Sequence, residues 1–299
     1  GKDGGGRVKI AITGAGGLVG SHLARRLARR HEVLALGHAD LDITDRGAVF
    51  LRANSERPQL IINCAVIGVD ECERDESAAR AVNVEGPRAL ASAAAEVGAE
   101  IVHFSSNYVF GGEAVGRAPY TADDEPRPVN VYGRTKLSGE RAVRSAAPRS
   151  YVVRTSWVYG TGKSSFLSTA HGNLQSGIPV RAITDTWANT TYVNDLVRRV
   201  EELLTRRHYG IYHVANEGVC SYQDFAQEAA RLVGLDADDA AQLIRTVTEV
   251  EMGREAARPR YTPMRCLLAE ALGLAPLRDW REALAAYVRG HADRLNSGR

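Results

Sequence analysis

The sequence predicts an α/β protein with a Rossmann-type doubly wound parallel sheet and a smaller, mixed α/β C-terminal lobe. Short apolar runs alternate with amphipathic helical patterns over about the first 160 residues. A glycine-rich turn follows the first apolar run, and beyond about residue 160 the alternation becomes irregular. Apolar strands separated by helices are typical of a parallel sheet that helices cover on both faces.

The strands and helices of the first part follow from this alternation. Strands are predicted at 7–14, 32–37, 59–65, 100–106 and 150–157, and helices at 17–30, 43–56, 77–98 and 132–146. Leu18, Leu23 and Leu27 recur at helical spacing between arginines, which is the pattern of an amphipathic helix. Thr44 or Asp45 is a suitable N-cap for the second helix. The third helix is expected to break or bend at Gly86-Pro87.

The remaining chain predicts fewer regular elements. Helices are expected at 192–204, 221–233 and 279–289, and short strands near 180 and 211. We therefore expect a nucleotide-binding domain at 7–160 and a lobe at 161–299 that mainly binds substrate. Part of the C-terminal half is expected to return to the first sheet.

The composition is that of a soluble globular protein, with 44% hydrophobic and 25% charged residues. A net charge of +2 requires neither a nucleic-acid nor a membrane partner. Residues 1–7 lack the apolar core of a signal peptide and are expected to form a disordered lead-in, so a cytoplasmic location is expected. The cysteines Cys64, Cys72, Cys220 and Cys266 form no C-x-x-C pair, which argues against a zinc site or a disulfide framework.

The glycine turn "ITGAGGLVG" lies between the first strand and the first helix. Gly14, Gly17 and Gly20 permit a tight turn and a close backbone approach to a diphosphate. Leu18 and Val19 begin the helix, whose N-terminal N–H groups favour an anion. In this strand–turn–helix context, the spacing predicts a dinucleotide site.

The choice of dinucleotide depends on the end of the second strand, "LALGHAD". His38 stands at the strand tip and Asp40 follows later, so no carboxylate is expected where it would repel a 2′-phosphate. NADPH is therefore predicted, with NADH tolerated. The arginines of the first helix lie toward its C-terminal end, away from the cofactor, and indicate a solvated face.

A serine, a tyrosine and a lysine are expected to form the reaction centre. The fourth strand ends in "HFSSNYVFGG", which places Ser105 and Ser106 at the carboxyl edge of the sheet, where ligands bind. Tyr132 and Lys136 stand four residues apart and share a helix face. A lysine ammonium favours the ionised phenol, so Tyr132 can act as an acid at neutral pH. The alternative is an ordinary helix N-terminus with an exposed lysine.

The segments "TGAGGLVG", "FSSNYVF" and "YGRTK" resemble the extended short-chain dehydrogenase/reductase superfamily. More narrowly, the chain is similar to dTDP-4-dehydrorhamnose reductase and related 4-ketoreductases from Val8 to about Val288. The resemblance assigns further cofactor contacts in two blocks, "DLDITD" and "IINCAV": Asp42, Ile43, Ala65 and Val66. It assigns substrate contacts to Asn107, Tyr108, Trp157 and Arg258, with the Arg258 guanidinium suited to a phosphate.

The resemblance implies NADPH-dependent reduction of the C4 ketone of a nucleotide-linked 6-deoxyhexose, with dTDP as the expected nucleotide, in deoxysugar or antibiotic biosynthesis. Tyr132 would donate the proton, Lys136 would lower its pKa and bind the nicotinamide ribose, and Ser106 would orient the carbonyl. Dehydratase relatives carry an acidic pair where this chain has Asn107-Tyr108, which favours reduction. The block "DTWANTT" at 185–191 departs from the family pattern and leaves the sugar open.

Two alternatives share these motifs. One is a nucleotide-sugar epimerase that retains its cofactor, and the other is a non-catalytic, cofactor-bound regulatory subunit. An added acid–base pair for epimerisation would need residues such as His171 or Cys220, which are better explained as structural. A monomer or a homodimer is expected.

Overall fold

A computed structural model describes the backbone of residues 6–297 and the side chains of residues 6–293. The predicted lead-in over residues 1–7 lies largely outside the described residues. The strands are β1 (Lys9–Thr13), β2 (Glu32–Leu36), β3 (Leu60–Asn63), β4 (Glu100–Ser106), β5 (Ser150–Thr155), β6 (Val158–Tyr159), β7 (Val180–Ile183), β8 (Trp187–Ala188), β9 (Thr191–Tyr192), β10 (Gly210–His213), β11 (Cys220–Ser221) and β12 (Ile244–Val247).

The helices include every helix predicted from the sequence and several more. They are α1 (Leu18–Leu27), α2 (Arg46–Glu56), α3 (Val69–Arg74), α4 (Glu76–Arg80), α5 (Gly86–Val97), α6 (Val131–Ala146), α7 (Phe166–Gln175), α8 (Val193–Arg206), α9 (Tyr222–Leu232), α10 (Ala237–Leu243), α11 (Leu267–Ala271) and α12 (Trp280–Ser297). Among the described residues, no helix has the length and apolar character needed to span a membrane.

The main sheet has the strand order β10-β5-β4-β3-β1-β2. The pairs β1–β2, β1–β3 and β3–β4 are parallel. The chain runs outward from β1 to β2 and then crosses to the other side of β1 to form β3. In such a sheet the crevice at the carboxyl ends of β1 and β3 is the topological switch point, where ligands bind. The predicted doubly wound α/β fold is confirmed.

The core beside this sheet depends on small side chains in α5. Ala89, Ala91, Ala93 and Ala94 are buried there, together with Leu90. Their small volume allows the helix to lie close to α2 and to the apolar strand residues. The cap of α2 is Asp45, whose carboxylate accepts a hydrogen bond from the Ala48 N–H at 2.9 Å.

The segment predicted as one helix over 77–98 is interrupted. It comprises α4, a π-helical turn at Ala81–Glu85, and then α5, which begins at the expected Gly86-Pro87. The wider turn brings the buried Asn83 against α6, where its amide donates to the Thr135 hydroxyl at 3.1 Å. The Asn83 carbonyl faces Gly139 so closely that a Cβ on Gly139 would lie 2.1 Å from it.

This close approach predicts that Gly139→Ala destabilises the protein, although alanine is the better helix former. Backbone cannot move aside as a flexible side chain can, so we expect the free energy of unfolding to fall by about 2–3 kcal/mol. Urea unfolding followed by circular dichroism measures it. Gly172→Ala in α7 is the control, because a Cβ there meets nothing within 4 Å. That variant should gain about 0.5–1 kcal/mol, and equal effects at both sites would contradict the prediction.

The chain forms two compact units. Unit 1 contains the described residues up to Ser106, Val131–Arg154 and Val197–Tyr212. Unit 2 contains Asn107–Asn130, Thr155–Leu196 and the chain from His213 onward. Each unit is built from three separate stretches, and the boundary expected near residue 160 stays a prediction.

In unit 2 the divergent block 185–191 joins backbone segments to one another. The Asn189 amide donates to the Gly218 carbonyl at 2.8 Å, and its oxygen accepts from the Met264 N–H at 2.7 Å. The Thr191 hydroxyl donates to the Ser156 carbonyl at 2.5 Å. These buried side chains therefore fix the fold of unit 2 through bonds to its own backbone.

Candidate active site

The turn between β1 and α1 has the geometry of a diphosphate cradle. Gly14 has a φ of +65°, and a Cβ there would lie 2.5 Å from the Ala65 N–H nitrogen. A Cβ on Gly20 would lie 2.3 Å from the Gly14 carbonyl oxygen. Gly17 is the N-cap of α1 and provides no side-chain cap, so the helix presents backbone N–H groups, with Leu18 and Val19 in its first turn. These features fit a dinucleotide diphosphate.

Asn63 fixes the turn after β1 to the loop after β3. Its side-chain oxygen accepts hydrogen bonds from the Thr13 hydroxyl at 2.8 Å and from the Ala65 N–H at 3.1 Å. Its amide contacts His103 Nδ1 on β4 at 3.2 Å. These buried hydrogen bonds connect β1, β3 and β4 at the switch point of the sheet. The strand pattern of the sequence did not reveal them.

The predicted cofactor contacts outside the glycine turn differ in their surroundings. His38 and Asp42 are exposed, and Val66 is 55% exposed. Hydrogen bonds from the Thr44 N–H and hydroxyl, at 2.9 and 2.7 Å, lower the pKa of the Asp42 carboxyl. Ile43 is different: its side chain is only 5% exposed and packs in the core. Only its backbone could face a cofactor.

Lys136 is buried on α6 and does not project into solvent. Its side chain crosses to β4, where Nζ donates to the Phe104 carbonyl at 2.6 Å, and the residue is 3% exposed. Burial lowers the pKa of its ammonium to about 8, although the Glu140 carboxylate acts in the opposite direction. The alternative of an exposed lysine is therefore wrong.

Tyr132 lies one turn before Lys136 and is half-buried. Its ring packs against the small apolar cluster of Cys72, Ala79 and Val131. The Thr135 hydroxyl, which receives the hydrogen bond from Asn83, donates to the Tyr132 carbonyl at 3.0 Å. The π-helical turn thus supports the helix turn that carries the tyrosine.

Ser106, at the end of β4, is 7% exposed and lies two residues beyond the carbonyl that Lys136 contacts.

A buried carboxylate, Glu140, completes this region of unit 1. It binds Arg154 of β5 through both oxygens, with Nε–Oε1 at 2.9 Å and Nη2–Oε2 at 2.7 Å. It also accepts a short hydrogen bond from the Ser105 hydroxyl. Sequence reasoning missed Glu140 and Arg154, although the spacing Tyr132, Lys136, Glu140 repeats every four residues.

The predicted substrate residues all lie in unit 2. Asn107 donates to the Thr262 hydroxyl at 2.7 Å. Burial raises the pKa of the Tyr108 phenol, while the Arg258 and Arg254 guanidinium groups act against that rise. Arg258 itself donates to the Ala256 carbonyl at 2.6 Å.

Trp157 stands in a left-handed backbone conformation, with φ of 44°, which is uncommon for a bulky residue. Its ring lies 4.2 Å from that of Tyr222, and its buried indole N–H has no hydrogen-bond partner among the described residues. Tyr222 and Arg254, which pairs with Glu249, are further candidates that no sequence motif indicated. Epimerisation would need an extra acid–base pair, for which His171 and Cys220 were considered. Both residues are buried in unit 2.

A family model and several relatives match almost the whole chain. The family model of the RmlD substrate binding domain matches residues 8–292. A dTDP-4-dehydrorhamnose reductase of Mycolicibacterium smegmatis is 43% identical over 285 residues, which are 94% of this chain and 85% of the relative. A probable dTDP-4,6-dihydroxy-2-methyloxan-3-one 4-ketoreductase of Streptomyces antibioticus is 41% identical, covering 91% of this chain and 92% of the relative.

The structure is also similar to a solved relative. A dTDP-4-dehydrorhamnose reductase of Bacillus anthracis, crystallised in complex with NADP, superposes with a TM-score of 0.88. The two are 30% identical, and the match covers 95% of this chain and 99% of that one. This chain therefore belongs to the dTDP-4-dehydrorhamnose reductase family of extended short-chain dehydrogenases/reductases.

Proposed function

We propose that this protein uses NADPH to reduce the C4 ketone of a nucleotide-linked 4-keto-6-deoxyhexose, with dTDP as the nucleotide, in deoxysugar biosynthesis. The observation that carries the proposal is Lys136, buried with a pKa of about 8 one helical turn from Tyr132. A cation in this position favours the phenolate of Tyr132 and so makes the phenol a stronger acid. A cytoplasmic location, and assembly as a monomer or homodimer, belong to the same proposal.

In this mechanism Tyr132 donates the proton that the reduced carbonyl oxygen requires. Lys136 holds a positive charge beneath the phenol, and the Ser106 hydroxyl donates a hydrogen bond that orients the carbonyl. When bound, the nicotinamide cofactor supplies the hydride, and the glycine turn with the start of α1 would hold its diphosphate. The protein's contribution is therefore orientation and electrostatics.

The two units would divide these tasks. Unit 1 carries the cofactor residues and Ser106, Tyr132 and Lys136, whereas unit 2 would bind the sugar nucleotide. The Arg258 and Arg254 guanidinium groups suit its diphosphate, and Trp157 suits stacking on a ring of the substrate.

Cofactor selection should depend on Asp40. The Gly37 N–H donates to Asp40 Oδ2 at 2.8 Å, so this carboxylate folds back onto the end of β2. The strand tip therefore does carry a carboxylate, contrary to the expectation from the sequence, and its charge would weaken but not prevent the binding of the NADPH 2′-phosphate.

We expect Asp40→Asn, which keeps the acceptor oxygen and removes the charge, to tighten NADPH binding about threefold to fivefold. The Kd of NADH should stay unchanged. Calorimetric titration without substrate measures both. Asp45→Asn, which alters another exposed carboxylate, at the α2 cap, is the control. Equal effects of Asp40→Asn on both cofactors would refute the role.

The assay of the proposed function supplies the purified protein with NADPH and a panel of dTDP-4-keto-6-deoxyhexoses. Consumption of NADPH with formation of a 4-hydroxy product, identified by NMR, is the expected result. An epimerase would instead retain bound cofactor and convert the sugar without net oxidation of NADPH. A regulatory subunit would bind cofactor and turn over none of the sugars, and either outcome would reject the proposal.

A further inference from the structure

Glu140 shares a helix face with both residues of the proposed acid–base pair. It follows Lys136 by one turn and Tyr132 by two, since residues four apart on a helix are neighbours. Glu140 is 2% exposed, so its charge is removed from water together with that of Lys136. A carboxylate buried to this extent requires partners that satisfy its oxygens.

Those partners connect Glu140 to the two strands beside α6. Arg154 of β5 binds both carboxylate oxygens and is itself buried, with its side chain 3% exposed. The Ser105 hydroxyl of β4 donates to Oε1. Because Ser105 is adjacent to Ser106, one carboxylate joins the helix that carries Tyr132 and Lys136 to the strand that carries the proposed carbonyl-binding hydroxyl.

This arrangement is not explained by stability alone. Buried ion pairs contribute little net stability, and apolar residues of similar volume often replace them without loss. We propose that Glu140 is a positioning residue for the reaction: its carboxylate, oriented by Arg154 and Ser105, fixes Ser106 against α6 and supplies the negative charge that Lys136 faces. The inference rests on the proposed roles of Tyr132 and Lys136.

The other titratable groups around Lys136 carry no negative charge near neutral pH. Burial raises the pKa of the Cys64 thiol to about 12 and that of the Cys72 thiol to about 11. Burial, with a further contribution from Lys136, holds the pKa of His103 well below its usual value. Among the groups that raise the pKa of Lys136 against the effect of burial, Glu140 acts most strongly, and the Cys64 and Cys72 thiols are uncharged near neutral pH.

A lysine titration tests this without any substrate. The sequence has four lysines, at positions 2, 9, 136 and 163. Side-chain signals of lysine-labelled protein can therefore be followed by NMR as a function of pH, with Lys136 assigned by its replacement. In Glu140→Gln we expect the midpoint of Lys136 to fall by about one pH unit. The alkaline limb of the kcat profile should move down by the same amount.

Glu100→Gln is the matched control. Glu100 begins β4 and pairs with Arg149 at 3.0 Å in the same unit, toward the opposite end of that strand. That variant should leave the Lys136 midpoint and the alkaline limb in place. If Glu140→Gln also left both in place and only lowered stability, the positioning role would be rejected.

A second variant covers the case in which Glu140→Gln does not fold. The double replacement Glu140→Leu with Arg154→Met removes the pair without leaving an unpaired buried charge. It should still lower the Lys136 midpoint, and an unchanged midpoint would overturn the inference. A protein that shows the shift but reduces no sugar would reject the proposed function and leave this inference standing.

Discussion

Replacement of Tyr132 by phenylalanine should lower kcat for reduction by about 10³-fold and leave NADPH binding intact. The phenol is the group we propose as proton donor, and a positioned acid of this kind contributes roughly 10²–10⁴-fold. The ring packs against Cys72, Ala79 and Val131, and phenylalanine preserves those contacts. Steady-state kinetics and calorimetric titration with NADPH separate the chemical effect from binding.

Tyr151→Phe is the control for loss of a phenol in the same unit. Tyr151 lies on β5, and its hydroxyl is buried with no hydrogen-bond partner among the described residues. Its removal should leave kcat unchanged. If Tyr132→Phe were as active as Tyr151→Phe, another group would have to supply the proton.

Replacement of Lys136 by methionine should lower activity sharply and at the same time stabilise the protein. Without the cation the phenol of Tyr132 is a weaker acid, and we expect kcat to fall by at least about 10²-fold. In the wild-type protein, folding buries the Lys136 ammonium and lowers its pKa from 10.5 to about 8. This burial opposes folding by ~3 kcal/mol. Methionine fills similar space and carries no charge, so it avoids that penalty. Its one cost is the loss of the hydrogen bond from Lys136 to the Phe104 carbonyl.

The pH dependence of this stabilisation has a definite sign. Between pH 8 and 10.5 the unfolded lysine binds a proton that the folded one has lost, so the wild-type protein gains stability as pH rises. The advantage of Lys136→Met should be complete below pH 8 and vanish near 10.5. Urea unfolding over this range measures it. Lys9→Met, which breaks a partly exposed pair with Glu56 at 2.6 Å, should show no such gain.

The sheet and the glycine turn could be predicted because their signals are local. Each strand of unit 1 from β1 to β5 is an apolar run, and Gly14, Gly17 and Gly20 occupy the turn that follows the first of them. The helix periodicity likewise placed Tyr132 and Lys136 on one face.

Other features depend on contacts between distant residues. The pairing of Glu140 with Arg154 cannot be read from helix or strand periodicity, because it joins a residue of α6 to a residue of β5. The carboxylate of Asp40 reaches the strand tip only through the turn that the chain makes there. The π-helical turn depends on packing of Asn83 against α6, and the two-residue strands of unit 2 are too short for alternation to reveal them.

The return of residues 197–212 to unit 1 has a consequence for recombination among relatives. These residues supply β10, one of the two edge strands of the main sheet, and most of α8. A crossover near residue 160 that transplants the C-terminal half of another reductase would also transplant an edge of the nucleotide-binding sheet. Chimaeras intended to change the sugar should therefore keep 197–212 from the same parent as the first 106 residues.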